Sequence, residues 1–391
     1  MKILIAEDDR VSRRLLQRML EGWGHEVAAA ADGTEAWDLF KDHRDDFQFV
    51  ISDWEMPGMD GIELVRRVRQ DCGERYVYII LLTAKTERAE FLEAMEAGAD
   101  EFVTKPLDHA ELHVRLRVGE RLINLERKLA HQNEVLCADL KAAAAVQMSL
   151  LPQSAPKIEG YNFAWQFIPS QYVAGDIFNI QRLDEHSVGL YVIDVSGHGV
   201  PAAMLSVTLS RVLVPTPGQG SLVKRWLPTA PHYEIASPSQ VVSDLNERFP
   251  METQNNLYHT ILYALLNTRD RTLRLTRAGH PNPIQTRAGQ AGEILEIPGG
   301  LPAGMLREAE YTETEISLEP GDRIFLYSDG LNESLDEHGE MFGFERLAAT
   351  LADNHSLPLG EAVRATLETI RSVAGDEGID DDLTLLAIEV P

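Results

Sequence analysis

The chain has 391 residues, of which 44% are hydrophobic and 25% are charged, an ordinary composition for a globular protein of about two or three domains. Its formal net charge of −26 argues against an extended contact with nucleic acid, because nucleic-acid-binding proteins concentrate positive charge. There is no membrane-length apolar run and no signal-peptide core, and Cys72 and Cys137 have no ligand-like spacing. We therefore expect a cytoplasmic protein with free thiols, no membrane contact and no direct DNA binding.

Residues 1–118 alternate short apolar runs with amphipathic segments. The runs KILIA, FQFVIS and YVYIILL have strand length, and segments such as RVSRRLLQRML carry apolar residues at helical spacing. Five strand–helix units in this length predict a doubly wound, mostly parallel α/β sheet. The functional site of such a sheet lies beyond the carboxyl ends of its strands.

Chemically active side chains follow the predicted strands at that edge: Asp8, Asp9, Asp53, Thr83 and Lys105. Carboxylates that converge form a hard oxygen site suited to Mg²⁺. We expect Asp53 to attack phosphorus while Mg²⁺ and the Lys105 ammonium neutralise the phosphoryl charge. Any one of these residues alone is more simply a turn or surface residue, but five of them at four strand ends indicate a site.

Together with the DWEMPGMDG loop and the Lys105-Pro106 pair, these residues resemble the bacterial receiver domains of response regulators across all of residues 1–118. The resemblance implies a flavodoxin-like fold and phosphorylation of Asp53 by a histidine kinase or phosphotransfer protein. It implies a Mg²⁺ ion held by three carboxylates and one backbone carbonyl: Asp8, Asp9, Asp53 and Glu55. It also implies a set of residues that report phosphorylation: Thr83, Phe102 and Lys105.

Residues 119–150 have the character of a helical linker. Leucines recur at heptad spacing, with one companion leucine: Leu122, Leu129, Leu136 and Leu125. Gln132 and Asp139 occupy the next companion positions, so the apolar seam is interrupted. Two interpretations stay open: a coiled coil that makes the protein a homodimer, and a helix packed on its own domain.

Residues 151–391 are rich in neighbouring strand patterns, with helical segments at about 200–213, 238–249 and 343–373. This arrangement predicts an α+β domain, which we expect to be a β-sandwich flanked by helices. Aspartates stand at the edges of several strands: Asp176, Asp194, Asp329, Asp381 and Asp382. An Asp beside Gly is usually a turn residue, but so many strand-edge sites in one domain suggest carboxylates that meet at one sheet edge.

Carboxylates that meet cannot all stay ionised without cations, and oxygen-only ligands favour Mg²⁺ or Mn²⁺. Two such ions about 4 Å apart can share a water, lower its pKa and direct it at phosphorus. The domain has no GxSxG motif, no P-loop and no Cys-phosphatase signature. A metal-activated water is therefore the nucleophile that we expect.

The motifs VQMSLLP, VAGD, DVSGHGVPAA, AGHPNP, EPGDRIFLYSDGLNES and DDLT resemble those of the metal-dependent (PPM-type) protein-serine phosphatases, in the SpoIIE/RsbU branch. The resemblance runs from about residue 146 to residue 389. It implies two Mn²⁺ or Mg²⁺ ions bridged by Asp194, with help from the Val195 carbonyl. It implies further ligands in Asp176 for the second ion and in Asp329 and Asp381 for the first, with Asp382 as the alternative to Asp381.

Other residues of these motifs have open roles. His198 is either the acid that protonates the leaving serine oxygen or a structural residue of a tight turn. His280 and Arg277, in and beside AGHPNP, either shape the substrate groove or support a bent strand. The chain has Ala174 where the family usually has Gly and Asn179 where it usually has a second acid, so we expect one weaker metal ion and slow turnover.

The whole layout predicts a phosphatase controlled by phosphorylation of Asp53. By resemblance, its substrate is a phosphorylated STAS-type anti-sigma-factor antagonist, whose dephosphorylation frees a sigma factor in a stress response. The alternative is a weak or inactive phosphatase-fold adaptor that binds a sigma factor or an anti-sigma factor. Asn179 favours the adaptor, and the intact set of aspartates opposes it.

Overall fold

The computed structural model describes residues 1–44, 46–73, 75–84, 88–216, 220–375 and 379–390, with the backbone alone for 88–91. The chain forms two compact units, Met1–Leu136 and Cys137–Pro391. Their boundary falls within the segment expected to be the linker. Across the described ranges, no helix combines the length and the apolar character needed to cross a membrane.

The first unit alternates strands and helices along the chain: β1 (Lys2–Ala6), α1 (Arg10–Gly22), β2 (Glu26–Ala30), α2 (Gly33–Asp42), β3 (Phe49–Asp53), α3 (Gly61–Asp71), β4 (Tyr78–Thr83), α4 (Arg88–Ala97), β5 (Glu101–Thr104) and α5 (His109–Met148). The five strands are all parallel, in the order β2-β1-β3-β4-β5. Strands β3 and β4 are buried along their whole length, because helices cover both faces of the sheet. The predicted doubly wound receiver fold is confirmed.

Helix α5 continues for 40 residues, about 60 Å at the usual helical rise. Its beginning packs on the receiver sheet through Leu112, Leu116 and Ile123. The heptad leucines are exposed instead: Leu122, Leu125, Leu129 and Leu136 have 41%, 56%, 55% and 56% of their surface accessible. The described part of the chain therefore leaves the apolar seam uncovered.

The second unit contains the remaining elements: β6 (Asn162–Ile168), β7 (Ile177–Arg182), β8 (Ser187–Val195), α6 (Val200–Val212), β9 (Lys224–Trp226), β10 (Tyr233–Ile235), α7 (Pro238–Arg248), β11 (His259–Asn267), β12 (Thr272–Ala278), β13 (Ile284–Thr286), β14 (Glu293–Ile294), β15 (Gly299–Gly300), β16 (Thr314–Ser317), β17 (Arg323–Tyr327), α8 (Gly330–Glu333), α9 (Phe344–Asp353), α10 (Leu359–Ala374) and β18 (Leu383–Glu389). The predicted helical stretch 343–373 is two helices. Helix α9 ends at Asp353 and α10 begins directly after Pro358, a proline that disfavours helical geometry in the residue before it.

Two sheets pack face to face in this unit. The first has the order β15-β12-β11-β8-β7, with β16 on β12, and the second has the order β14-β13-β17-β18-β6. Phe178 of β7 contacts Trp165 and Phe167 of β6, with ring centroids 6.0 and 6.1 Å apart. Helices α6 and α7 cover the first sheet and helices α9 and α10 cover the second. The predicted β-sandwich flanked by helices is confirmed.

Candidate functional sites

The first acidic cluster lies at the carboxyl ends of β1 and β3. Glu7, Asp8 and Asp53 offer carboxylate oxygens that all lie within 4.8 Å of one another. Lys105, just after β5, donates from Nζ to Asp53 Oδ2 at 2.5 Å and to Glu7 Oε2 at 2.8 Å. Three carboxylates of this kind suit Mg²⁺, and the ammonium suits a phosphoryl group on Asp53.

Glu7 stands in this cluster where we expected Asp9. Asp9 is exposed, and its Oδ1 accepts the Ser12 N–H at 2.8 Å, so that Asp9 caps α1. These hydrogen bonds to Ser12 lower the pKa of Asp9. Three consecutive acids, Glu7, Asp8 and Asp9, follow β1. Which two of them face Asp53 depends on the residue at which the strand ends. The structure thus brings Glu7 and Asp8 to Asp53, in place of the expected pair Asp8 and Asp9.

Burial and ion pairing act in opposite directions on this cluster. Burial raises the pKa of Glu7, although its hydrogen bond from Lys105 opposes the rise. Burial disfavours the charge on Lys105, but the hydrogen bonds to Asp53 and Glu7 outweigh it and the pKa of Lys105 is raised. Lys105 therefore keeps its charge at the position where a phosphoryl group would need it.

The other predicted receiver residues lie around this edge. Thr83 ends β4, is buried, and accepts the Lys105 N–H with its carbonyl at 2.7 Å. Phe102 is partly buried in β5 against the receiver core, and Glu55 is exposed in the loop after Asp53. The Lys105-Pro106 peptide bond is cis. The joint shift of Thr83 and Phe102 stays a prediction.

The second acidic cluster lies where β7, β8, β17 and β18 meet at one edge of the sandwich. Burial raises the pKa of Asp194 well above its usual range, and the charges of Asp329 and Asp381 raise it further. Burial also raises the pKa of Asp176 well above its usual range, with the charge of Asp194 as the next cause. Asp194 is thus close to Asp176 at the edge of the first sheet and to Asp329 and Asp381 at the edge of the second.

Burial and neighbouring charges also act on Asp329 and Asp381. Burial raises the pKa of Asp329 to about 6, and the charge of Asp381 adds to the effect. Burial likewise raises the pKa of Asp381. No three acids of this cluster come within 4.8 Å of one another as the receiver acids do, so its oxygens are more widely spaced. Like-charged groups in this arrangement need cations between them to ionise together, and the oxygen donors fit two Mg²⁺ or Mn²⁺ ions.

Asp382 plays a different part from its neighbour Asp381. Its Oδ1 accepts the Ser170 N–H at 2.8 Å and the Ser170 hydroxyl at 3.1 Å. Its Oδ2 accepts the Gly175 N–H at 2.8 Å and the Asp176 N–H at 3.3 Å. Both oxygens of Asp382 therefore anchor the segment that carries Asp176. The more exposed Asp381 accepts one N–H, from Asp382, at 2.8 Å.

Asn179 lies on the face of the first sheet that points away from this cluster. In the register of β7 and β8, Phe178 is opposite Val192 and Asn179 is opposite Tyr191. Phe178 faces the second sheet, and Asp194, two residues after Val192, shares that face because strand side chains alternate. Asn179 therefore faces the helical layer beside Tyr191. The structure therefore does not bring Asn179 to the acidic cluster, and the weaker metal ion stays a prediction.

The turn after β8 brings further predicted residues to the cluster. A Cβ on Gly175 would lie 2.9 Å from the Val195 carbonyl oxygen, so Gly175 lets that carbonyl approach the Asp176 segment. Gly197 and Gly199 have left-handed φ angles of 83° and 78°, which a tight turn requires. His198 lies between them, is exposed, and has its Nδ1 3.4 Å from Gln171 Nε2.

Some neighbours of the cluster were missed by residue-by-residue reasoning. Glu333 is one helical turn after Asp329, and its charge contributes to raising the pKa of both Asp329 and Asp194. Thr384 Oγ1 donates to Asp176 Oδ2 at 2.5 Å. Both residues belong to recognised motifs, SDGLNES and DDLT, but the spacing of acids alone did not single them out.

Gln147, near the end of α5, was also missed. Its Nε2 donates to the Ala174 carbonyl at 2.7 Å and to Ser206 Oγ at 3.0 Å, and its Oε1 accepts the Ala174 N–H at 3.0 Å. The side chain is only 5% exposed. The last turns of α5 are thereby joined to the backbone two residues before Asp176.

Comparison with known proteins agrees with the division into two domains. The family model for the response regulator receiver domain matches residues 3–117, and the model for stage II sporulation protein E (SpoIIE) matches residues 184–391. The second range includes Asp194, Asp329 and Asp381, and Asp176 precedes it.

Relatives of the first unit are single receiver proteins. Chemotaxis protein CheY-3 of Vibrio cholerae is 36% identical over 124 residues, which are 31% of this chain and 94% of that protein. Chemotaxis protein CheY of Pseudomonas aeruginosa is 39% identical over 124 residues, which are 31% of this chain and 98% of that protein.

Solved structures resemble the second unit in fold. The SiaA-PP2C domain of Pseudomonas aeruginosa matches with a TM-score of 0.55 at 22% identity, covering 67% of this chain and 99% of that one. The RsbU and RsbW domains of Rv1364c from Mycobacterium tuberculosis match with a TM-score of 0.52 at 23% identity, covering 62% of this chain and 63% of that one. The chain belongs to the SpoIIE family and carries a response regulator receiver domain ahead of its PPM-type phosphatase domain.

Proposed function

We propose that this response regulator uses phosphorylation of Asp53 to control a metal-dependent protein-serine/threonine phosphatase. The observation that carries the proposal is the second cluster, in which Asp194 is close to Asp176, Asp329 and Asp381 and all four have raised pKa values. We assign residues 1–118 to the receiver, 119–150 to the helical linker and 151–391 to the phosphatase.

In the receiver, Asp53 Oδ accepts a phosphoryl group from a histidine kinase or phosphotransfer protein. Glu7, Asp8 and Asp53 would hold Mg²⁺, with the Glu55 carbonyl as a further ligand. Lys105 already bonds Asp53 and neutralises the phosphoryl oxygens. Thr83 and Phe102 then respond to the new charge.

In the phosphatase, Asp194 would be a ligand of both metal ions, assisted by the Val195 carbonyl. Asp176 would hold the second ion, and Asp329 and Asp381 would hold the first. When bound, Mn²⁺ or Mg²⁺ would lower the pKa of a bound water and neutralise phosphoryl oxygens. Asp382 anchors the Asp176 segment and is not a ligand, because both its oxygens accept N–H or O–H donors.

Hydrolysis forms a bond between water oxygen and phosphorus and breaks the bond between phosphorus and the serine oxygen. The serine oxygen then needs a proton. His198 is exposed at the mouth of the cluster, near the charge of Asp381, and we assign it as the donor.

The proposed substrate is a phosphorylated STAS-type anti-sigma-factor antagonist, so that the reaction would release a sigma factor in a stress response. This step rests on the likeness to the SpoIIE family. The exposed leucine seam of α5 supports a homodimer formed through a coiled coil. The alternative, an inactive adaptor for a sigma factor or anti-sigma factor, loses its main support because Asn179 faces away from the cluster.

The test uses the full chain and a phosphoserine peptide, with Mn²⁺ added to protein that has been stripped of metal. We expect Mn²⁺-dependent release of phosphate that Asp194→Asn reduces by about 100-fold or more. Gln290→Leu, at an exposed position outside the cluster, is the control. If the wild type releases no phosphate with Mn²⁺ and an activated receiver, the adaptor is the correct function.

A further inference from the structure

The AGHPNP motif places an inaccessible histidine beside the second acidic cluster. His280 has no exposed surface, and its Nδ1 lies 2.7 Å from Thr260 Oγ1, a distance at which the two atoms share a hydrogen bond. The mechanism above makes no use of either residue. A buried polar pair of this kind is costly unless both partners are satisfied.

Thr260 stands directly beside the central carboxylate of that cluster. In the antiparallel pair of β11 and β8, Thr260 is opposite Asp194. Residues opposite each other in such a pair point to the same face, with Cβ atoms about 5 Å apart. The Thr260 side chain therefore shares with Asp194 the face that looks toward the second sheet, and its hydroxyl bonds the His280 ring from that face.

His280 is held firmly in this place. Arg277 Nη1 donates to the His280 carbonyl at 2.8 Å. Gly279 has a φ of +67°, and a Cβ there would lie 2.6 Å from Pro302, so the backbone turn before His280 tolerates no side chain. Burial lowers the pKa of His280 to about 3 against an opposing effect of the Tyr327 backbone, so the ring is neutral at physiological pH.

The Tyr327 backbone near the ring belongs to β17, two residues before Asp329. His280 is therefore in contact with β11 of one sheet and close to β17 of the other, at the level where Asp194 and Asp329 face each other. Groups that hydrogen-bond around metal ligands fix the orientation of those ligands. A rigid, neutral ring between the sheets is suited to that task.

We propose that His280 and Thr260 are positioning residues that orient the Asp194 carboxylate for metal binding. This inference rests on the proposed metal site. It assigns to the AGHPNP motif a role in metal affinity rather than in the shape of a substrate groove. Thr260 is the residue through which His280 acts.

The test measures Mn²⁺ binding by calorimetry on the full chain after its metal has been removed. Every protein also carries Asp53→Asn, so that the receiver cluster contributes equally to the measured binding. Thr260→Val removes the hydroxyl at nearly constant volume, and Thr260→Ser retains it. We expect Thr260→Val to weaken Mn²⁺ binding about tenfold, a typical cost of losing a partner of a metal ligand, and Thr260→Ser to bind as the parent does.

The melting temperature in EDTA separates positioning from folding. Thr260→Val should melt close to the parent without metal and gain less on adding Mn²⁺. A second pair, His280→Leu and His280→Asn, repeats the comparison, because Asn retains a polar atom near the position of Nδ1. Unchanged Mn²⁺ affinity in Thr260→Val would overturn this inference alone. No saturable Mn²⁺ binding in the parent would overturn it together with the proposed function.

Discussion

At the scale of single residues, the second cluster is defined by carboxylates that resist ionisation. Asp194 and Asp176 have pKa values well above the usual range because they are buried and face other acids. An Asp in water has a pKa of about 3.9. Ionising these carboxylates together is therefore unfavourable without metal, and bound cations would offset the repulsion between them.

A first prediction concerns the stability of the metal-free protein as a function of pH. Asp329 has a folded pKa of about 6, raised above its unfolded value, so its favourable contribution is complete below about pH 4 and disappears as the pH rises through about 6. In EDTA, the melting temperature of the wild type should fall through this range relative to that of Asp329→Asn. With saturating Mn²⁺ the fall should be smaller. Parallel profiles for the two proteins in EDTA would contradict this account of Asp329.

A second prediction separates the neighbours Asp381 and Asp382. Asp381→Asn should weaken Mn²⁺ binding without lowering the free energy of unfolding in EDTA, because it removes one of several facing charges. Asp382→Asn should lower that free energy by about 2 kcal/mol, because charge-assisted hydrogen bonds to Ser170 and Gly175 are lost. Urea unfolding in EDTA and calorimetry with Mn²⁺ measure the two effects. A reversed pattern would make Asp382 the ligand.

The sequence was sufficient to place Asp53, Asp194 and Lys105 at strand ends, because Asp53 and Asp194 lie at the ends of strongly apolar strands and Lys105 directly follows β5. It was not sufficient to choose Glu7 over Asp9, since that choice depends on the residue at which β1 ends. It also could not show that Asn179 faces the helices, because a shift of one residue along a strand moves a side chain to the other face.

At the scale of elements, α5 connects the receiver to the second cluster along the chain. The heptad pattern predicted a helix over 119–150, but the helix begins at His109 and ends at Met148. Near its end, Gln147 pairs with both backbone groups of Ala174. Sequence reasoning did not find this contact, because a single Gln in a helix gives no signal of its burial.

A third prediction is that Gln147 helps to keep the Asp176 segment in place. Gln147→Leu keeps the volume but leaves the buried N–H and carbonyl of Ala174 without this partner, at a cost of about 1–3 kcal/mol. We expect weaker Mn²⁺ binding and slower hydrolysis, measured on the full chain. Gln290→Leu, at an exposed position away from α5, serves as the control. Wild-type Mn²⁺ affinity in Gln147→Leu would show that the Asp176 segment keeps its position without Gln147.

A fourth prediction concerns the leucine seam. If α5 pairs with α5 of a second copy, Leu129→Glu should convert a dimer to a monomer, because a charge in the seam is not solvated there. His131→Glu, outside the seam, adds the same residue and should leave the dimer intact. Light scattering after size-exclusion chromatography gives the mass. A monomeric wild type would refute pairing through α5.

At the scale of the whole molecule, one chain contains two acidic clusters, each at the edge of a sheet. Alternation of strands and helices sufficed to predict the parallel receiver sheet, and runs of strands with separate helices sufficed to predict the sandwich. The pairing order of the sandwich strands was beyond prediction, because it depends on contacts between residues far apart in sequence. That order is what brings Asp176 and Asp194 to Asp329 and Asp381.

The most direct test of the account compares Asp53→Ala with Asp194→Asn in the full chain. The assay measures Mn²⁺-dependent release of phosphate from a phosphoserine peptide, with and without a phosphodonor for the receiver. We predict that Asp53→Ala keeps the basal rate within about twofold but no longer responds to the phosphodonor, whereas Asp194→Asn loses the basal rate. If Asp53→Ala abolished basal hydrolysis as completely as Asp194→Asn, the separation of input at Asp53 from chemistry at Asp194 would be wrong.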